Sequence, residues 1–148
     1  MNTPIGMLLS RKGSSVHSVA SSVSVADAVR VMNQHKVGSI LILDQGRLAG
    51  IFTERDVLTR VVAAGRNPYV TPVHEVMTGN LITIAPDATV EQVMEIFTQR
   101  RCRHLPVLSP VGSLLGLISI GDISRWLVDS HQAEAQQLRQ YIAGGVPA

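Results

Sequence analysis

The sequence predicts an α/β (α+β) fold in which two tandem strand-helix-strand-strand-helix repeats pack pseudo-symmetrically as one module, followed by a C-terminal helix. Three observations predict it. The stretch Gly50–Asp56, Gly-Ile-Phe-Thr-Glu-Arg-Asp, returns 66 positions later as Gly116–Asp122, Gly-Leu-Ile-Ser-Ile-Gly-Asp. Val25, Ala28, Val29 and Met32 stand at helical spacing, and Val90, Val93, Met94 and Phe97 repeat that spacing 65 positions on. After each such helix come two apolar runs around a Gly-containing turn, the signature of a hairpin.

In chain order, Thr3-Pro4 introduces the apolar run Ile5 to Leu9, and Thr71-Pro72 introduces Val73 to Met77 in the same way. Each repeat therefore opens with a short lead-in helix. Val16 to Val19 and Leu81 to Ile84 are the first strands. The two helices that follow start at the capping boxes Ser24-x-x-Asp27 and Thr89-x-x-Gln92. The hairpins comprise Ile40 to Leu43 with Leu48 to Phe52, and Leu105 to Leu108 with Leu114 to Ile118. The second turn is one residue longer, which moves the offset from 65 to 66. Closing helices carry Val57, Leu58, Val61 and Val62 in one copy, and Ile123, Trp126 and Leu127 in the other. The domain boundaries are then 4–64 for the first repeat, 65–71 for a linker, 72–128 for the second repeat and 129–148 for a C-terminal helix and tail. In that last segment Ala135, Leu138 and Ile142 share one helical face, and Gly144 to Ala148 fray. A repeat of roughly 60 residues buries too little surface to be secure alone, which is a reason for the two to pack on each other.

Composition narrows the function. With 148 residues, 45% of them apolar, and a formal charge of only +2, the chain reads as a globular protein rather than a polybasic one. Cys102 is the one cysteine and has no disulfide partner, and the N-terminus lacks a basic-then-apolar leader; both point to the cytoplasm. Leu105 to Gly121 is uncharged but is broken by Pro106, Pro110, Gly112 and Gly116, so it reads as two strands and not as a membrane span. The five histidines are scattered without metal-ligand spacing.

The candidate chemistry sits at the two strand-to-helix junctions. Thr53 with Asp56, and Ser119 with Asp122, admit two readings. A hydroxyl followed three residues later by an acid is a capping box that satisfies helix N-terminal donors. The same groups also suit the vicinal hydroxyls of a ribose, with the hydroxyl residue on sugar or phosphate. Gly50 and Gly116, each three residues before the hydroxyl, mark close backbone approach and point towards a ligand. Arg100, Arg101, Arg103 and His104 form the densest basic cluster. The first two end a helix, where positive charge suits the dipole, whereas Arg103 and His104 begin a strand and can reach a phosphate. The first copy has Gly38-Ser39 there, so the two sites are not equivalent; Arg55, opposite Gly121, partly compensates. Cys102 aligns with Val37 and reads as a structural thiol.

With its duplicated Gly-apolar-x-Thr/Ser-x-x-Asp units, the chain resembles a tandem pair of cystathionine β-synthase (CBS) domains, a Bateman module, from about Pro4 to Val128. The piece Arg101-Cys102-Arg103-His104-Leu105-Pro106-Val107 is similar to the phosphate-contacting strand of that family's second repeat. The resemblance implies a non-enzymatic regulatory sensor, with no cofactor required, that binds AMP, ADP, ATP, NAD(H) or S-adenosylmethionine between the repeats and signals in trans to a protein partner. It implies a homodimer and no membrane. Asp122 would hold the ribose, Ser119 the sugar or α-phosphate, and Arg103 and His104 the phosphates. Leu117 would lie along the adenine, with His17 and Val37 closing the base pocket. A rise in melting temperature with AMP, ATP or NADH is then expected to be largely lost in Asp122→Ala. The mirror-related site would use Asp56, Thr53, Arg55 and Ile51, closed by Ile82 and Cys102. Two other classes compete: a nucleic-acid-binding protein using Arg100 to His104, and a small hydrolase of the bound nucleotide.

Overall fold

Apolar spacing and capping place the first long helix of each repeat where the sequence predicts it, whereas the second lead-in helix shrinks to a 3-10 turn and the way the repeats share their cores is a tertiary property. The computed structural model of the chain describes residues 2–12 and 16–143, with side chains up to His131. Its elements are α1 (Ile5–Lys12), β1 (Ser18–Val19), α2 (Val25–His35), β2 (Ser39–Asp44), β3 (Arg47–Thr53) and a single turn α3 (Glu54–Asp56) that continues as a π-helix, Val57–Val62. A 3-10 turn (Val73–Glu75), α4 (Val90–Arg100), β4 (His104–Leu108), β5 (Leu114–Ser119) and α5 (Ile120–Ala143) follow.

The α2 and α4 helices are built alike. Thr89 and Gln92 close a reciprocal capping box, with bonds of 3.2 and 3.0 Å. At α2 only half of the expected box forms. Ser24 accepts from the Asp27 N–H, but the Asp27 carboxylate turns to Arg30 at 2.6 Å instead of reaching back to the cap. Both helices end on a left-handed residue, Lys36 at φ 55° and Arg101 at φ 52°, so the chain turns into its hairpin at the matched place in each copy.

The first repeat carries a three-stranded sheet in the order β1-β2-β3, and the second only the pair β4-β5. The predicted strand Leu81–Ile84 shrinks to one parallel bridge, Ile84 with Val107. Proline explains the difference. In the first repeat the Leu41 N–H donates to the His17 carbonyl at 3.1 Å. Its counterpart 65 positions on is Pro106, which has no N–H to give. The bridge that survives matches Val19 with Ile42, where no proline intervenes.

The lead-in segments cross over. Ile5, Leu8 and Leu9 of α1 are buried among Val90, Val93, Phe97, Leu105, Val107 and Ile118, the core of the second repeat. Val73 and Val76 are buried with Val25, Met32, Ile40, Ile42 and Phe52 in the first. Backbone bonds tie both crossings in the same way: Ile5 N to Ala88 O at 2.8 Å and Val90 N to Thr3 O at 2.9 Å, then Val73 N to Val23 O at 2.8 Å and Val25 N to Thr71 O at 2.9 Å. Each fully buried aliphatic side chain contributes about 1.5 to 3 kcal/mol. Each repeat thus depends for part of its core on residues that precede the other one.

Two expectations at the closing helices change. The second copy's closing helix does not stop near Asp129; it runs on as α5, so the expected separate C-terminal helix is its continuation. The predicted face Ala135, Leu138 and Ile142 lies outside the residues whose side chains are described, and Gly144 to Ala148 lie outside the described residues altogether. In the first copy the four apolar residues do not share a buried face. Val61 is buried, but the wider π winding turns Leu58 and Val62 outwards, at 65% and 66% exposure.

Candidate functional site

Each junction is first of all a helix start. Asp56 Oδ2 accepts from the Thr53 N–H at 3.0 Å and from its hydroxyl at 3.1 Å, and Thr53 Oγ1 accepts from the Asp56 N–H at 3.2 Å. Asp122 Oδ2 accepts from the Ser119 N–H at 2.9 Å, and Ser119 Oγ accepts from the Asp122 N–H at 3.1 Å. The capping reading is therefore realised in both copies.

Gly50 and Gly116 are explained by the protein itself. A Cβ at Gly50 would lie 2.5 Å from Met77 Sδ and 2.8 Å from the Thr78 carbonyl oxygen, and one at Gly116 would lie 2.7 Å from Leu9 Cδ2. Both glycines admit a crossing lead-in segment, which corrects the expectation that they mark a ligand. The close approach is real, but what approaches is the chain.

Between the repeats lies an open cleft of about 1500 Å3. All six residues of the mirror-related set, Ile51, Thr53, Arg55, Asp56, Ile82 and Cys102, line it. Arg103, His104 and Ser119 join them from the second repeat. Of the two residues expected to begin the strand, only His104 does, since β4 starts there, and both Arg103 and His104 border the cleft. Leu117, His17, Val37 and Asp122 do not line it. His17 stacks on His35 with ring centroids 3.8 Å apart, and Val37 packs on the first core. The set that the resemblance centres on Asp122 is thus divided between the cleft and elsewhere.

Arg55 and Arg60 line this space beside Glu54 and Asp56 on the first repeat, and Arg100, Arg101 and Arg103 line it from the second, a surplus of positive charge in a concave site. Arg100 and Arg101, read from the sequence as a solvated helix end, belong to its lining. So do Glu54, Arg60, Thr78 and Asn80, which the sequence reading passed over. For Thr78 and Asn80 a signal existed: they follow the second lead-in segment in the duplicated order. Arg60 carries no motif signal; it is placed by its bond to the Met77 carbonyl at 2.9 Å.

Asp122 sits in a different setting. Lys12 Nζ lies 2.7 Å from its Oδ2 and Arg125 Nη2 lies 2.8 Å from its Oδ1. Burial works to raise this carboxyl. Hydrogen bonds from Lys12 and Ser119, with the Lys12 charge, outweigh it and hold the group below the usual carboxylate value. Burial, followed by the nearby Lys12 charge, lowers the His104 imidazole below its ordinary value, so His104 borders the cleft as a neutral hydrogen-bonding group at neutral pH. Burial also raises the Cys102 thiol, which stays protonated at the cleft wall.

The signs of these shifts fix a pH response. Below the ordinary histidine value of about 6.5 the unfolded chain takes up a proton that folded His104 resists, so stability falls as pH drops through that range. Asp122, depressed in the fold, contributes stability above the ordinary aspartate value of about 3.9 that is lost as pH falls further, through the folded value. Urea midpoints measured from pH 8 to 3 are expected to decline in two steps, with His104→Gln flattening the upper one and Asp122→Asn the lower.

Fold and cleft together define the class: a module of two small α/β repeats with matched strand-to-helix junctions and an open cleft between its halves. The CBS domain family matches residues 10–63 and 73–129, and the chain belongs to that family as a tandem pair. It is 38% identical over 97% of its length, and 74% of the relative's, to the CBS domain-containing protein CBSX3, mitochondrial, of Arabidopsis thaliana. The CBS-domain containing protein ATU1752 from Agrobacterium tumefaciens is 39% identical, with a TM-score of 0.78 over 83% of this chain and 98% of that one. The CBS domain pair of protein MJ0100, solved in complex with 5'-methylthioadenosine and S-adenosyl-L-methionine, shares the fold at 24% identity and a TM-score of 0.77, over 88% of this chain and 99% of that one. Modules of this family are commonly regulatory rather than catalytic. Among the described residues no helix is long and apolar enough to cross a membrane, and no group of three or more His, Cys, Asp and Glu is placed to hold a metal ion.

Proposed function

We propose that the chain is a regulatory module that binds an adenosine phosphate, AMP, ADP, ATP or NAD(H), in the cleft between its repeats and acts on a protein partner in trans. One observation carries this reading: the Thr53/Asp56 junction of the first repeat opens into the same cleft as the Arg100, Arg101 and Arg103 guanidiniums of the second. A sugar-accepting carboxylate and a phosphate-accepting cation cluster face each other across the repeat boundary, so one ligand touches both halves. Ile51, Ile82 and Cys102 supply apolar wall for a base. The same-fold pair of MJ0100, solved with two adenosine ligands that carry no phosphate, supports the adenosine part of the assignment. The phosphate preference comes from the five arginines against two carboxylates. These arginines border a concave space shared with Glu54 and Asp56, which suits a small phosphorylated ligand, and no Phe, Tyr or Trp stands among the lining residues to stack the bases of a nucleic-acid strand.

The first binding residue is Asp56, in place of the Asp122 that the resemblance put first. A ligand that spans both repeats binds best at one mutual tilt of them, and only that differential affinity shifts the population a partner reads. A second copy of the chain is a further partner in this reading. Leu58 and Val62, with Ile120 and Val128 on α5, are exposed apolar side chains, and Leu58 and Ile120 border the same cleft. The direct experiment is mass spectrometry of small molecules released from purified protein, paired with melting curves. A ligand at a hundredfold excess over its dissociation constant stabilises the fold by about 2.7 kcal/mol. ATP, AMP or NADH is expected to raise the melting temperature. No released adenosine compound, together with no shift from any of them, overturns the proposal.

A further inference from the structure

The two junctions are copies in sequence but differ in what already occupies them, and the difference comes from Lys12, the last residue of α1. In the first repeat the Ile51 carbonyl accepts the backbone N–H of Thr78 at 2.9 Å. Among the described residues the Asp56 Oδ1 atom is ion-paired with Arg60 Nε at 3.6 Å, beyond hydrogen-bond range, and retains capacity to accept. In the second repeat the Leu117 carbonyl accepts from Lys12 Nζ at 2.7 Å, and the same ammonium donates to Asp122 Oδ2 at 2.7 Å. Arg125 takes Oδ1 at 2.8 Å. Both carboxylate oxygens of the second junction are therefore engaged by cations of the chain itself.

Counted from Pro4 and Pro72, the lead-in residue matching Lys12 is Asn80, which is neutral and lines the open cleft. Lys12 thus stands where the other copy leaves its seat free. Its side chain is 34% exposed while that of Asp122 is 7% exposed, and a smaller cavity of about 330 Å3, bordered by Arg11, Arg125 and Trp126, lies beside the pair. The ammonium has somewhere to go, and its departure leaves Oδ2, among the described residues, with the Ser119 N–H alone, while Oδ1 is held by Arg125, whose side chain is 75% exposed.

We propose that Lys12 is an internal competitor for the second sugar seat, so that the chain loads one adenosine phosphate at Asp56 and takes a second at Asp122 only when Lys12 leaves. This rests on the reading of the junctions as sugar seats given above. Lys12 is a specificity-determining residue in that sense: two seats of common origin bind with different strength because one of them holds a lysine. Once displaced, Lys12 lies with Arg11 and Arg125 at the rim, which suits a ligand bearing phosphate over a neutral nucleoside.

Isothermal titration calorimetry of the full chain with ATP tests this. The wild-type protein is expected to bind one equivalent. Lys12→Ala is expected to bind two, or to tighten a weak second event at least tenfold, and Asp122→Asn in the Lys12→Ala background returns it to one. Lys12→Met, which keeps the aliphatic stem, serves if the alanine variant fails to fold, with the same expectation of a tightened second event. An unchanged single event in the Lys12 variants, two equal events in the wild type, or weaker binding on removing Lys12 overturns this inference alone. If neither protein binds ATP, AMP or NADH, the sugar-seat reading falls as well.

Discussion

Gly50→Ala is expected to lower the stability of the chain by about 3 kcal/mol, at the upper end of what overpacking a well-filled site costs. The added methyl carbon would sit 2.8 Å from the Thr78 carbonyl oxygen, and that oxygen is fixed. Ile51 and Thr78 exchange two backbone hydrogen bonds, at 3.0 and 2.9 Å, so the strand and the lead-in segment cannot part without breaking both. For a chain of this size the loss corresponds to roughly 10 °C in melting temperature, which differential scanning calorimetry reads directly. The Gly116→Ala variant is the control. Its Cβ would meet the tip of the Leu9 side chain, 2.7 Å away, which can rotate, and about 1 kcal/mol is expected. Adding Met77→Ala to Gly50→Ala relieves the contact with the sulfur but not that with the carbonyl, so only part of the loss should return. Equal costs at the two glycines would show that side-chain crowding, and not the backbone bridge, sets the penalty.

Asp56→Asn is expected to weaken ATP binding about a hundredfold. Hydrogen bonds to a charged acceptor are worth about 1.5 to 3 kcal/mol each, and the loss of the charge-assisted pair to ribose hydroxyls at about 2.7 kcal/mol gives that factor. The asparagine keeps the shape and one acceptor oxygen, so the cap on Thr53 largely persists and the protein stays folded; Asp56→Ala removes the cap as well and adds about 1 kcal/mol of destabilisation. Asp122→Asn in the otherwise wild-type chain should leave the ATP affinity within about threefold, because that seat is already filled by Lys12. Calorimetric titration of the three proteins against ATP decides the matter. Wild-type affinity in Asp56→Asn would remove Asp56 from the site, and a loss confined to Asp122→Asn would move the seat back to the second junction.

The repeat was legible because it is written in side-chain chemistry that acts locally. Apolar residues at helical spacing, hydroxyls at helix starts and glycines in hairpin turns act within a few residues, and they placed α2, α4 and both hairpins. The signal at Gly50 and Gly116 was legible too, but its cause was not. A glycine reports that something comes near, and the sequence does not say whether that is a ligand or residues 77 and 78. The third strand of the second sheet failed for a nonlocal reason: Leu81 to Ile84 has strand chemistry, but the partner it needs is Pro106, 22 or more residues away, which lacks a donor.

The candidate site divides along the same line. Which residue types could hold a sugar and a phosphate followed from Thr53, Asp56, Ser119, Asp122 and the run of arginines before His104, since hydrogen-bonding capacity belongs to the side chain wherever it lies. Their grouping was decided in three dimensions. The crossing of α1 into the second core carried Lys12 to Asp122, and the second lead-in segment, crossing the other way, brought the neutral Asn80 to the open cleft. Local sequence determined two matched junctions; long-range packing made them unequal, because a charge 110 positions away neutralises one carboxylate and leaves the other facing the cleft.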